Sequence, residues 1–179
     1  MLKAIDNSAL SIRPESKEDH AGVSELLQLA YVHSPYRHHN EHQFVETLRF
    51  EKALDVGLVA QLDGEVVGYI ALSKITVDRR DIGWYAIAPI AVNPKLQAKG
   101  IGARLINAAL DRLALKNANG VVVLGEQSFY GKFGFTTEHG LRLVGQHPDY
   151  VLALDFNESA PMGDIAFHFA FDQEYDIAL

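Results

Sequence analysis

Cysteine is missing from all 179 residues. The chain therefore has no disulfide framework, no thiolate nucleophile and no zinc-finger spacing. Long apolar runs are missing too: no window approaches the roughly 20 apolar residues that a membrane-spanning helix needs. The opening MLKAIDNSAL lacks a charged flank followed by an apolar stretch. Positive charge is in deficit, with 16 Lys and Arg against 23 Asp and Glu and a formal net charge of −7. Such a surface disfavours nucleic-acid backbones and mildly favours cationic partners such as amines. These absences predict a cytoplasmic protein with neither nucleic acid nor membrane as partner.

What is present argues for a folded chain, since 48% of the residues are hydrophobic and 22% charged. The length suits one well-cored domain over 1–179, with a core over 10–155 and a C-terminal extension over 156–179. Neither an internal repeat nor a low-complexity tract is evident.

The stretch from Trp84 to Leu113 organises the rest. Ile87, Ile90, Ala91 and Val92 leave almost no polar side chain for water, which predicts a strand buried on both faces. Ile101, Leu105, Ile106, Ala109, Leu110 and Leu113 recur as one stripe at helical period. Between strand and helix lies a turn holding Gly100 and Gly102. A helix N-terminus offers unpaired N–H groups and the positive end of a dipole, and a glycine lets a ligand approach them. Lys95, Lys99 and Arg104 add positive charge. The pattern suits a phosphate or pyrophosphate, and it also suits a glycine turn that merely starts a buried helix.

A Walker A loop would need Gly-Lys-Ser/Thr, which does not follow Gly100. A dinucleotide fingerprint would need a small residue where Leu105 stands. Val92-Asn93-Pro94-Lys95-Leu96-Gln97-Ala98-Lys99-Gly100-Ile101-Gly102 does resemble the acetyl-CoA-binding motif of the GNAT acetyltransferase superfamily, V-x-P-x-x-Q/R-x-x-G-x-G/A, at every fixed position. Phe129-Tyr130-Gly131-Lys132-Phe133-Gly134-Phe135 is similar to the family's FYxxxGF segment. Within the superfamily the pattern is nearest to a bacterial YhbS-like branch. The resemblance implies an α/β (α+β) GNAT fold: a mixed, mostly antiparallel central sheet with splayed middle strands, flanked by helices.

Along the chain, Leu10 to Arg13 alternates as a first strand ending before Pro14. Ser16 and Asp19 form a capping pattern ahead of a helix whose apolar face is Val23, Leu26, Leu27, Ala30 and Tyr31. Asn40, with Gln43, caps a second helix buried through Phe44, Val45 and Leu48. Val56 to Leu62 and Val66 to Val77 read as two strands joined at Asp63-Gly64, a dipeptide suited to a type I′ turn. Pro89 cannot donate a ladder hydrogen bond, so pairing should fail around it. Asn117 to Gly120 stops the motif helix, and Val121 to Leu124 follows as a strand parallel to the central one. Phe129 to Phe133 reads as a short helix, and Phe135 to Thr137 and Tyr150 to Leu154 as closing strands. Ile165 to Phe171 suits either an extra strand or the contact of a homodimer.

By resemblance, the cofactor's pantetheine arm lies between the splayed strands, where N–H groups at Ile90, Ala91 and Val92 would polarise the thioester. The pyrophosphate would rest on Gln97, Ala98, Lys99, Gly100, Ile101, Gly102 and Ala103. Acetyl-CoA is then the co-substrate, used in direct transfer to the primary amine of a small molecule or peptide. Tyr130 matches the family tyrosine whose hydroxyl faces the sulfur, and an unperturbed phenol is protonated at neutral pH; a tyrosine simply packed between Phe129 and Phe133 is the alternative. Trp84 to Val92 holds no carboxylate to act as base. Glu126 is a candidate, as are His38, His39 and ordered water, and an ordinary loop carboxylate at 126 is the plainer reading. The loop before Asn40 would border the acceptor. His33, His38, His39 and His42 fit no standard zinc spacing, so no metal is expected. Two other functions fit parts of this pattern: a catalytically silent acyl-CoA-binding or regulatory domain, and a nucleotide-binding protein using the Gly100 loop.

Overall fold

The computed structural model describes residues 9–32 and 40–172. Six strands form the main sheet: β1 (Leu10–Pro14), β2 (Val56–Leu62), β3 (Glu65–Lys74), β5 (Trp84–Val92), β6 (Gly120–Leu124) and β8 (Val151–Asp155), in the order β1-β2-β3-β5-β6-β8. Every neighbouring pair in it is antiparallel except β5 with β6. That pair is parallel because α3 (Ile101–Leu115) crosses between them. Asp63 and Gly64, with φ of 51° and 88°, make the turn between β2 and β3.

Alternation along the strands sorts the two faces. Leu58, Ala60, Ile70 and Leu72 pack with Ile101, Leu105, Ile106 and Ala109 of α3. Val59, Tyr69, Ala71 and Ala91 point the other way, into a cluster with α1 (His20–Tyr31) and α2 (Glu41–Phe50) through Val23, Leu27, Tyr31 and Val45. Gly68 brings α3 close: a Cβ there would meet Ile101 and Leu105 at 3.0 Å.

The rest of the second face is covered by a smaller sheet in the order β4-β9-β7, made of β4 (Thr76–Val77), β7 (Gly140–Arg142) and β9 (Met162–Ala166). Val77, Leu141 and Ile165 of that sheet cluster with Trp84, Ala86, Val122 and Ala153 of the main one.

Several expectations are corrected. Val66 to Val77 is not one strand: the ladder leaves the main sheet after Lys74, and Thr76 and Val77 pair with Ala166 and Ile165. Phe135 to Thr137 contributes only a single bridge, Thr136 to Ala153. Pro14 belongs to β1, opposite Leu58. The extra C-terminal strand lies earlier than expected, and Phe169–Phe171 is a 3-10 turn whose Phe171 ring stands 5.3 Å from that of Phe44 on α2. The Ser16–Asp19 capping box forms, but it opens a 3-10 turn, Lys17–Asp19, that precedes α1. Among the described residues no helix is long and apolar enough to cross a membrane.

Candidate active site

The site is built where β5 loses its second neighbour. β5 pairs with β6 only from Trp84 to Ile87, opposite Gly120 to Val123. The register with β3 then shifts: Leu72 faces Ile87 and Ile70 faces Ile90, so Ala88 and Pro89 together oppose Ala71. A proline has no N–H to give the ladder, and the bulge falls where the sequence places it. Beyond it Ile90, Ala91 and Val92 pair with Ile70, Tyr69 and Gly68 on one edge and, among the described residues, with no strand on the other. β6 meanwhile keeps its pairing to β8 through Leu124, and the Gly125 amide continues that edge by donating to the Tyr150 carbonyl at 3.0 Å. A gap therefore opens between the arm of β5 and the end of β6.

The glycine turn closes one end of this gap. The Asn93 amide donates to the Val67 carbonyl at 2.9 Å, and the Asn93 side chain accepts from the Lys95 amide at 3.0 Å, fixing the 3-10 turn Pro94–Leu96. The Gln97 side-chain amide donates back to the Val92 carbonyl at 3.3 Å. Ala98 and Gly100 both take positive φ, 58° and 86°. α3 starts at Ile101, and the first bond into the helix is from Arg104 N–H to the Gly100 carbonyl, at 3.0 Å. The amides of Ile101, Gly102 and Ala103 thus stand at the helix mouth with no intrahelical acceptor. A Cβ on Gly100 would meet nothing within 4 Å. Arg104 does not add charge here as expected, because its guanidinium donates to the Leu10 carbonyl at 2.9 Å. Lys95 and Lys99 remain the cations of the turn.

α4 (Gln127–Tyr130) forms the other wall. A Cβ on Gly102 would lie 3.8 Å from Val92 and 3.9 Å from Phe129, so helix mouth, strand arm and α4 meet at that glycine. The Phe129 ring carries the Lys132 ammonium 4.3 Å from its centroid. Tyr130 is buried, with its ring 4.9 Å from that of Phe129 and 5.8 Å from that of Phe135. Glu126 caps α4 and is exposed; its carbonyl accepts from the Phe129 and Tyr130 amides, and its carboxylate accepts from the Ser128 hydroxyl at 3.4 Å.

On the opposite side of the β5 arm, Gln28 and Tyr31 of α1 and Val32 just after it line a cleft of about 250 Å³ with His42 of α2. The Tyr31 hydroxyl donates to the Ile90 carbonyl. Tyr31 was expected only as part of an apolar face, and 59 residues separate it from Ile90, so periodicity carries no sign of this bond. Of the four histidines considered for this region, His33, His38 and His39 lie outside the described residues. Among the described residues no group of three or more His, Cys, Asp or Glu could hold a metal. Opposite Ala91 on β3, Tyr69 is fully buried, and burial pushes its phenol well above the ordinary value, with the nearby Glu15 carboxylate adding to the effect.

A parallel β5–α3–β6 unit, a strand arm with a free edge and an open helix mouth between them describe a recognisable architecture. Residues 21–135, from within α1 to the end of the FYxxxGF segment, match the Acetyltransferase (GNAT) family. This chain belongs to the GNAT family. The uncharacterised N-acetyltransferase YhbS of Escherichia coli (strain K12) is 35% identical to it over 134 residues, 73% of this chain and 77% of that one. The solved structure of a GNAT family acetyltransferase from Brucella melitensis, in complex with acetyl-CoA, matches at a TM-score of 0.82 and 36% identity, over 91% of this chain and 98% of its own. The structure of Escherichia coli YhbS, in complex with CoA, matches at a TM-score of 0.84 and 29% identity, over 92% and 93%. The mixed, mostly antiparallel sheet flanked by helices is that of these GNAT structures.

Proposed function

We propose that this GNAT chain transfers an acetyl group from acetyl-CoA to a primary amine of a small molecule or peptide, by direct attack in a ternary complex. One observation carries the reading: β5 parts from β6 after Ile87, and the gap leads to a helix mouth whose amides have no intrahelical acceptor. These features fit the co-substrate. Gly100 leaves open space at the mouth, and the Brucella and Escherichia relatives hold acetyl-CoA and CoA.

In this reading the N–H groups of Gln97 to Ala103, with Lys99, hold the pyrophosphate, and those of Ile90, Ala91 and Val92 line the pantetheine arm and polarise the carbonyl. Acetyl-CoA supplies an activated acyl carbon and a thiolate leaving group. Tyr130 gives its hydroxyl proton to the departing sulfur as the C–S bond breaks. Glu126, exposed at the start of α4, receives the amine's proton through water as the C–N bond forms. The products are an acetamide and CoA thiol.

Thermal unfolding with acetyl-CoA, CoA, ATP and NAD tests the donor site. A ligand at a hundred times its Kd stabilises the fold by about 2.7 kcal/mol, a rise of roughly 2–4 °C per kcal/mol at this size. A rise with acetyl-CoA and CoA alone is expected. No rise with either would remove the reading, and a rise with ATP or NAD alone would replace it. CoA-thiol release with supplied amines then separates an enzyme from a silent acyl-CoA-binding domain.

A further inference from the structure

We infer that Arg104 guards the outer edge of β1, and so keeps this chain from extending its main sheet with a second copy of itself.

The edge resolves into single groups. β1 and β2 are antiparallel, with Leu10 opposite Leu62 and Pro14 opposite Leu58, and just beyond them the Glu15 amide donates to the Gly57 carbonyl at 2.9 Å. In such a ladder, hydrogen-bonded pairs alternate with pairs whose groups point away from each other. Counting back from Glu15, Arg13 and Ser11 turn their N–H and C=O groups toward β2, while Pro14, Ile12 and Leu10 turn theirs outward. β1 is an edge strand of the main sheet, so this outward row is where another strand would add.

Side chains and a proline stop most of that row. Pro14 has no N–H to give, and its carbonyl accepts from Arg13 Nη1 at 3.2 Å. The Leu10 carbonyl accepts from Arg104 Nη2 at 2.9 Å, a bond that spans 94 residues of sequence. The occupant thereby excluded is a second β1. Two copies related by a two-fold axis would set Leu10 of each opposite Ile12 of the other, and each Leu10 carbonyl would accept from the partner's amide at that position. Arg104 already fills those carbonyls, which removes half of the bonds such a pair needs.

The far edge of the sheet is closed by the same means. Thr136 exchanges both backbone bonds with Ala153 of β8, at 3.0 and 2.9 Å, so Ala153 and its alternate neighbour Val151 face outward. The His139 ring accepts from the Leu141 amide at Nδ1, 3.1 Å away, which leaves its proton on Nε2 for the Val151 carbonyl at 2.7 Å.

The test is sedimentation velocity of the full chain and its variants over a wide range of protein concentration. Arg104→Ala is expected to self-associate about tenfold more tightly than wild type, the effect of two hydrogen bonds returned to the two-fold pair. Arg104→Lys still brings a donor and should stay close to wild type. Arg104→Ala/Ile12→Pro should fall back to it, because the proline removes the N–H that a Leu10 carbonyl would accept. The Ile12 N–H points away from β2, so its loss costs β1 no ladder bond. Equal association of wild type and Arg104→Ala would overturn the inference. So would a dimer of Arg104→Ala that persists with Ile12→Pro, since the contact would then lie elsewhere. If the wild type already pairs through another face, the same comparison is read on the next step of assembly. Amide exchange of the wild type gives a check that needs no variant: the Ser11 and Arg13 amides should be protected and the Ile12 amide should not. Protection of Ile12 equal to theirs would remove the outward row, and with it the role of Arg104.

Discussion

A Cβ atom placed on Gly125 would stand 2.3 Å from Cε2 of the Tyr130 ring, so the ring lies directly on the backbone at the end of β6. Glycine is needed there for space, since any side chain must displace the ring that carries the proposed acid. Gly125→Ala should therefore act like a displacement of Tyr130, and Tyr130→Phe is expected to lower kcat by about 10²-fold, the smaller end of what a positioned acid contributes. Both variants should keep the thermal shift with CoA, because the turn proposed to hold the pyrophosphate, Gln97 to Ala103, is separate from α4. Rapid CoA-thiol release by Tyr130→Phe, equal to wild type, would remove Tyr130 from the chemistry while leaving the fold and donor site untouched.

Gly100 and Gly64 make a controlled pair. Both take a φ near the left-handed region, 86° and 88°, and a Cβ on either would meet nothing within 4 Å. Alanine at each should cost about 1–2 kcal/mol for the left-handed backbone alone, seen as a Tm lower by roughly 2–4 °C per kcal/mol. Only at Gly100 would the new methyl stand at the mouth of α3. Gly100→Ala should lose much of the CoA-induced rise in Tm and Gly64→Ala should lose none; equal responses would mean that the mouth is not the binding surface.

Much of this site could be read from residues close in sequence. Pro89 announced a break in pairing because its missing N–H is a local property, and the bulge at Ala88 and Pro89 stands where it was expected. The turn from Asn93 to Gly102 was legible for the same reason: its glycines and the helical stripe behind them are neighbours. Long-range partnerships left no such mark. Nothing in the stripe of α1 indicated that the Tyr31 hydroxyl would reach Ile90, or that Arg104 would turn to Leu10 and away from the glycine turn. The division of Val66 to Val77 between two sheets was hidden because Ile75 and Val77 are as apolar and β-branched as the strand before them; what separates them is the pairing of Thr76 and Val77 with a segment almost ninety residues later.

Arg49 of α2 grips Glu15 with two hydrogen bonds, Nε to Oε1 at 3.0 Å and Nη2 to Oε2 at 2.8 Å, and both side chains are only 12% exposed. The pair fastens α2, and with it the His42 wall of the cleft, to the segment after β1. Removing one partner leaves a buried charge without its counter-ion, which typically costs about 3–5 kcal/mol, whereas replacing both with apolar groups is often close to neutral. Arg49→Leu should therefore be strongly destabilising in urea, and Glu15→Leu/Arg49→Leu should recover most of the loss. A double variant as unstable as the single one would show that the cost lies in packing and not in the stranded carboxylate, and would also weaken any role for Glu15 in holding the Tyr69 phenol neutral.

Arg13 and Asp19 provide the acid-sensitive fastening. Nη1 and Nη2 of Arg13 lie 2.7 and 2.8 Å from the two oxygens of Asp19, which also accepts from the Ser16 amide at 2.7 Å. The Arg13 hydrogen bond holds the Asp19 carboxyl far below the usual carboxylate range, with burial opposing and the Ser16 amide and hydroxyl adding to the lowering. A carboxylate whose folded pKa is depressed favours folding wherever the unfolded chain is also ionised, above about pH 4, and that contribution drains away as the pH falls and only the unfolded form takes up the proton. Arg13 is 35% exposed, so solvent screens part of the attraction. Asp19→Asn is accordingly expected to cost about 1–2 kcal/mol at pH 7, with the gap to wild type narrowing progressively below about pH 4. Urea unfolding of both chains at pH 7, 5, 4 and 3 would read that gap, at roughly one proton's slope per pH unit on the acid side. A gap that stays constant down to pH 3 would mean that Asp19 contributes as a hydrogen-bond acceptor of the capping box and not as a charge, since an asparagine oxygen could then be blamed only for poorer geometry at Ser16.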